Sequence, residues 1–114
     1  MKVNRLIVVF ILIASIAIAK DIRTYIIPRS YVGTYYTNKC SNVIEVHPTY
    51  IIISNIKYNV HSLTFSGGKL IILCEGKKYA IAISCYINQQ RQRKVIILDI
   101  DLQENIFSDF CSIK

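Results

Sequence analysis

The sequence is poor in the features that make catalytic and metal sites recognisable. Two histidines and seven acidic residues occur among 114, and tryptophan is absent. Neither a C-x-x-C nor an H-x-x-x-H pair is present, so the ligand spacing typical of zinc sites is missing. The serine elbow of hydrolases is missing as well, because a turn accounts for the two glycines after Ser66. We therefore expect no metal, no cofactor and no catalytic residue.

Interruptions of the chain are also few. It has four glycines and two prolines, and no repeat or linker divides it, so a length of 114 residues indicates one domain. The composition, 53% hydrophobic and 18% charged, excludes a disordered chain. Its many Ile, Val and Tyr residues favour strands. We predict an all-β fold, a small single-domain antiparallel barrel or sandwich of about seven to eight strands. For residues 103–114 a short C-terminal helix and a last strand are both open.

The strand prediction depends mainly on residues 50–102. Apolar runs alternate there with short polar or glycine-containing breaks, as in consecutive antiparallel strands. Hairpin turns are expected at three of these breaks, residues 66–68, 76–78 and 88–93. The two glycines of the first turn make it the strongest signal, since glycine adopts positive φ without strain.

The run at residues 94–102 is predicted to present Ile96 and Leu98 to the core and Asp99 and Asp101 to solvent. Two carboxylates on one strand face could bind a hard cation or serve acid-base chemistry. No third ligand lies nearby in the sequence, and a solvated strand face is the commoner explanation.

The N-terminal segment has the pattern of a secretory signal peptide. Two basic residues precede an uncharged apolar stretch at residues 6–18, and Ala17 and Ala19 supply the small residues that signal peptidase recognises. We predict that residues 1–19 are removed and that residues 20–114 form an exported domain, periplasmic or extracellular. A retained anchor is disfavoured, because the apolar stretch is shorter than the roughly 20 residues that span a bilayer.

Export would allow the four cysteines to form disulfides. We predict a Cys40–Cys111 bond, which joins the loop before the main sheet to the C-terminal part of the chain. The predicted turn at residues 76–78 places Cys74 opposite Ala80, which leaves Cys85 far along the ladder and disfavours a bond between these two cysteines. They are expected to be small buried side chains or a second bridge.

Four residues are candidates for binding. Tyr31 and Tyr35 flank a glycine on one strand face, where they would either form a binding surface or fill the barrel. Arg91 and Arg93 lie in the polar connector and would contact a partner or remain solvated. The other basic connector, residues 76–78, is expected at the opposite end of the intervening strand, which weakens a nucleic-acid interpretation.

The functional hypotheses follow from small size, export and missing catalytic motifs. The first is a non-enzymatic domain that binds another protein, as an inhibitor, an immunity-type protein or a subunit of an envelope assembly. The second is a binder of an anionic surface or polymer, such as lipid, wall polymer or nucleic acid, because the chain after residue 19 carries twelve basic and seven acidic residues, a net +5. The third is a small hydrolase that uses His47 or His61.

Overall fold

The structure, a computed structural model, describes residues 25–114 and contains a closed barrel of eight antiparallel strands. Each strand pairs with the next in the chain, and the last pairs with the first. The predicted all-β, single-domain antiparallel fold is confirmed, and it takes the barrel form. The predicted signal peptide lies outside the described residues. The strands are β1 (Gly33–Tyr36), β2 (Ile44–Val46), β3 (Tyr50–Ile53), β4 (Ile56–Ser66), β5 (Lys69–Cys74), β6 (Tyr79–Ser84), β7 (Gln92–Asp99) and β8 (Glu104–Ile113).

The C-terminal tail forms a strand, β8, and not a helix. Helix in the described part of the chain is limited to two 3-10 turns, Arg29–Tyr31 and Glu75–Lys77. Within residues 25–114 no helix has the length and apolarity needed to cross a membrane. The turn between β4 and β5 is the predicted one, since Gly67 and Gly68 adopt φ of 59° and 73°.

Alternating burial along the strands builds one core. In β5 and β6 the inward residues Leu70, Ile72, Ile81 and Ile83 are fully buried, and the residues between them are partly exposed. Burial of each such side chain contributes about 2 kcal/mol through the hydrophobic effect. The period of two expected from the sequence is therefore present in the central hairpin.

The orientation predicted for β7 is wrong. Val95, Ile97 and Asp99 face inward and are 0%, 3% and 8% exposed, whereas Ile96 and Leu98 lie on the outer wall. Both alternating sets of this strand are apolar along most of its length, so hydrophobicity alone does not distinguish them. The charge of Asp99 does not mark the outer face of this strand.

Asp99 lies at the C-terminal end of β7, where its carboxylate closes a turn. Its Oδ1 accepts a hydrogen bond of 3.0 Å from the backbone N–H of Leu102, which closes the turn to β8. Asp101 lies exposed in that turn, so the two carboxylates do not share a strand face. No group of His, Cys, Asp and Glu in the described residues could hold a metal ion.

The predicted pairing of Cys74 with Ala80 is wrong by one residue, because Ala80 pairs with Leu73. The connection is wider than expected, since the 3-10 turn Glu75–Lys77 takes up one more residue. Cys85 consequently lies beyond the end of β6 and is exposed. Its predicted burial is wrong, whereas Cys74 is buried as expected.

The two ends of the barrel differ. One carries the β1–β2, β3–β4, β5–β6 and β7–β8 connections; the other, here called the covered end, carries the remaining three connections and the segment before β1. Residues 25–32 of that segment place Ile27 and Tyr31 in the core. The N–H of Ile27 donates to the carbonyl of Pro48 at 2.7 Å.

A short ladder between β1 and β8 closes the barrel. Tyr35 pairs with Ile113 and Tyr36 with Ser112. Gly33 begins β1 with a φ of 150°, and a Cβ at this position would lie 2.7 Å from Cγ2 of Ile113. Only glycine fits this seam without displacing its neighbours.

We expect Gly33→Ala to lower the free energy of unfolding by about 2 kcal/mol, since it adds both a steric clash and an unfavourable φ. Gly76→Ala is the matched control: Gly76 also has a positive φ, 80°, but nothing lies within 4 Å of its would-be Cβ. We expect Gly76→Ala to lower the free energy of unfolding by about 1 kcal/mol. Urea unfolding followed by circular dichroism measures both values, and equal losses would contradict the seam argument.

Candidate functional site

A buried arginine organises the covered end. Arg93 is 4% exposed, and its Nη1 donates to the carbonyls of Ser84 at 2.8 Å and Cys85 at 3.0 Å. Its Nη2 donates to the carbonyl of Ser30 at 3.5 Å, and the guanidinium carbon lies 4.3 Å from the ring centroid of Tyr31. One side chain thus joins the segment before β1 to the β6–β7 connection.

Tyr31 and Tyr35 fill the barrel beneath this arginine. They are 6% and 0% exposed, and the hydroxyl of Tyr35 donates to the carbonyl of Tyr31 at 2.7 Å. Burial raises the pKa of both phenols; for Tyr31 the neighbouring Cys85 thiol adds to this effect and Arg93 opposes it. Both hydroxyls therefore remain protonated at neutral pH, and of the two roles left open the structure shows the filling role.

The surface around this cluster exposes large apolar side chains. Tyr86 is 71% exposed, Phe65 60% and Ile87 48%. The ring of Phe65 lies 6.3 Å from that of Tyr31, and the N–H of Cys85 donates to the carbonyl of Gly68 at 2.8 Å. The β4–β5 and β6–β7 connections therefore adjoin each other above the buried cluster.

Three cations accompany these apolar side chains. Arg29, Lys69 and Arg91 are exposed and lie in the segments that build the covered end. No Asp or Glu occurs in the described part of those segments, residues 25–32, 47–49, 65–69 and 85–91. We call the exposed set the basic apolar rim: Arg29, Phe65, Lys69, Tyr86, Ile87 and Arg91.

The described acidic residues lie elsewhere. Glu75, Asp99, Asp101 and Glu104 occupy connections or strand ends at the opposite end of the barrel. The other two, Glu45 and Asp109, lie in strands of the wall. The acidic side chains of the described residues are therefore kept away from the covered end, whereas basic side chains occur at both ends, with Lys77 and Lys78 in the β5–β6 connection.

Of the four residues predicted to bind, Arg91 is exposed in the rim, whereas Tyr31, Tyr35 and Arg93 are buried beneath it. The structure brings Tyr31 and Arg93 into direct contact with each other. Sequence reasoning missed Phe65 and Tyr86, although both flank predicted turns. The available signal was the position of an aromatic residue beside a predicted hairpin turn, because side chains near turns are the least completely buried.

The predicted Cys40–Cys111 disulfide is absent, since all four cysteines are free thiols. The Sγ of Cys40 lies in an exposed loop and contacts the carbonyl of Asn42 at 3.2 Å. Cys111 faces the core, with its Sγ 3.9 Å from the carbonyl of Asp109. The two thiols thus point to different carbonyl groups.

The two histidines lie in separate surroundings. His47 stacks on Tyr50 with centroids 4.4 Å apart, and its Nε2 lies 3.6 Å from a carboxylate oxygen of Glu45. Nε2 of His61 is buried without a hydrogen-bond partner. In residues 25–114 no hydrogen bond joins either imidazole to a hydroxyl or thiol, so the triad geometry of a hydrolase is not formed there.

No family model matches the chain, and no curated protein or solved structure matches it either.

We expect Arg93→Met to lower the free energy of unfolding by about 2 kcal/mol, because it removes a buried donor that joins partly buried carbonyls of two segments. Arg91→Met makes the same change two residues away at an exposed position and should cost less than about 0.5 kcal/mol. Urea unfolding of both variants tests this, and a neutral Arg93→Met would show that the cluster is not structural.

Thiol reactivity should divide the cysteines into two pairs. Cys74 and Cys111 are 0% exposed, and burial raises their pKa to about 12 and about 11, so their reactive thiolates are scarce at neutral pH. Cys40 and Cys85 are exposed and should react first. A chromogenic disulfide reagent should therefore count two fast thiols in the native protein and four after denaturation. Fast labelling of Cys74 in the native protein would contradict the structure.

Proposed function

We propose that the chain is an exported, non-enzymatic binding domain that docks an acidic surface of another protein through the basic apolar rim. The observation that carries this proposal is the coincidence, at one end of the barrel, of exposed aromatic and aliphatic side chains with three cations and, within residues 25–114, no carboxylate side chain.

The composition of the rim suits a protein interface. Tyr and Arg are enriched among residues that dominate binding energy, since each combines a large contact area with hydrogen-bonding groups. Tyr86 and Phe65 would be buried on docking, while Arg29 and Arg91 would meet carboxylates around them. Cations in such positions accelerate encounter and select acidic partners.

The buried cluster supports this role from below. Arg93 holds the carbonyls of Ser30, Ser84 and Cys85, which belong to the segments that present the rim. Loops fixed before binding lose less conformational entropy when they bind. The same contacts that stabilise the fold would therefore raise affinity.

An anionic membrane or polymer is the alternative occupant, and the charge of the rim would attract it too. The two kinds of partner differ in how much of the apolar surface of the rim they would bury, and the salt dependence of binding distinguishes them. Attraction of exposed cations to an anionic polymer is screened strongly at moderate salt, whereas a complex that buries Tyr86 and Phe65 retains its apolar contribution. Exposed aromatic side chains favour the protein partner.

The test is affinity capture of residues 20–114 from their native envelope or medium, with two doubly substituted variants. Arg29→Glu with Arg91→Glu reverses two rim cations. Lys77→Glu with Lys78→Glu makes the same change of net charge at the opposite end. We expect a protein that is retained by wild type and by the Lys77/Lys78 variant at moderate salt and lost from the Arg29/Arg91 variant.

Two results would contradict the proposal. Equal loss of the captured protein from both variants would show a general charge effect. Binding to vesicles of anionic phospholipid that disappears at moderate salt, without any captured protein, would assign the rim to an anionic surface.

A further inference from the structure

A groove lies on the barrel wall where the chain leaves β1. β1 is four residues long, and within residues 25–114 its ladder with β8 includes only Ser112 and Ile113 of that strand. The β1–β2 connection then turns away from β8 and leaves a groove of 360 Å³. This volume is at the lower end of the range of small-molecule sites. No residue that lines the groove belongs to the basic apolar rim.

Local hydrogen bonds shape one side of the groove. The hydroxyl of Thr37 accepts from the backbone N–H groups of Lys39 at 3.3 Å and Cys40 at 3.1 Å, and the N–H of Thr37 donates to the carbonyl of Cys40 at 2.8 Å. This compact turn places Asn38 and Lys39 beside the groove, which both residues line. The backbone positions of these two residues are therefore fixed without a ligand.

β7 and β8 form the other side of the groove, which Gln92, Asp109, Phe110 and Ser112 line. Oδ1 of Asp109 accepts from the N–H of Phe110 at 2.7 Å, and a hydrogen bond of 3.4 Å joins the side chains of Gln92 and Ser112. The ring of Phe110 is 43% exposed, although Nζ of Lys94 lies 5.4 Å from its centroid. An exposed aromatic ring therefore lies beside hydrogen-bonding groups.

Some polar groups of the groove have no partner in the described part of the chain. The amide of Asn38 and the ammonium of Lys39 make no hydrogen bond or ion pair there, and Oδ2 of Asp109 accepts no hydrogen bond. The amide both donates and accepts, the ammonium donates and the carboxylate accepts. Lys39 and Asp109 have opposite charges, so the groove favours neither an anion nor a cation.

This combination of groups fits a neutral sugar. Neighbouring hydroxyls of a sugar ring donate and accept hydrogen bonds, so an amide, a carboxylate and an ammonium can each bind them. The C–H groups on one face of the ring pack against the negatively polarised face of an aromatic side chain. We propose that the groove binds a neutral carbohydrate, an activity beyond the proposed function. The sugar ring packs on Phe110, and its hydroxyls contact Asn38, Lys39 and Asp109.

Amide NMR spectra of the isotope-labelled protein, titrated with neutral trisaccharides of glucose, mannose, galactose and N-acetylglucosamine, test the proposal. We expect at least one of these sugars to shift the backbone signals of Asn38, Lys39 and Phe110 in a saturable way. The Kd should be about 1 mM, because an open groove with few contacts binds weakly. The signals of Gly67 and Gly68, at the covered end, should not move.

Two substitutions test the parts of the groove separately. Asn38→Ala removes the amide without a partner, and Phe110→Leu keeps an apolar side chain but removes the aromatic face. Each should weaken binding about fivefold. Phe65→Leu, the same change at the covered end, should leave the affinity unchanged. All three positions are exposed, so the other amide signals should show the native fold in each variant.

The proposal would be overturned if none of the four sugars caused a saturable shift at the groove, or if Asn38→Ala and Phe110→Leu both left the affinity unchanged. Glycine is the competing probe, because its opposite charges match those of Lys39 and Asp109. Tighter binding of glycine than of every sugar would assign the groove to a zwitterion and would likewise contradict the proposal.

Discussion

The structure of the covered end depends on the contacts of the buried Arg93 guanidinium. It lies in the core without an ion pair among the described residues, and its charge is balanced by carbonyl dipoles and by the ring of Tyr31. A buried cation is costly unless hydrogen bonds replace its hydration. The hydrogen bonds of Arg93 hold the carbonyls of two segments that are distant in sequence, and these segments cover one end of the barrel.

The basic apolar rim lies directly above the buried cluster of Arg93, Tyr31 and Tyr35. The segments whose carbonyls bind Arg93 from below carry exposed Arg29, Tyr86 and Arg91 above. The barrel formed by residues 25–114 has a small core, so it gains from each element that serves both packing and presentation. Alternate connections fall at opposite ends of an antiparallel barrel, so the connections that carry Glu75, Asp101 and the ends of β7 and β8 lie away from the rim.

Much of the fold could be predicted, because it rests on local signals. The Gly67–Gly68 turn and the alternation of β5 and β6 are readable from hydrophobicity and backbone freedom. The orientation of β7 could not be predicted, because both of its faces are apolar and the two polar residues near its ends, Arg93 and Asp99, face inward. Asp99 accepts a hydrogen bond from Leu102, three residues further on, whereas Arg93 reaches the carbonyl of Ser30, a contact across the fold that no local pattern reports.

The candidate site was predicted less well for the same reason. A tyrosine or an arginine in a connector has the same sequence signal whether it faces a partner or fills the barrel. Tyr31 and Arg93 are buried because they meet each other, across more than sixty positions of the chain. Within residues 25–114 Arg91 has no such contact, and it is exposed.

The β1–β8 seam has a consequence for the order of assembly. The other ladders join strands adjacent in sequence, and these hairpins close with little loss of chain entropy. β1 and β8 meet only after the intervening strands have been ordered, since their contact spans almost the whole domain. The barrel is therefore expected to fold as an open, curling sheet whose two outer strands join last, and to begin unfolding at the same place.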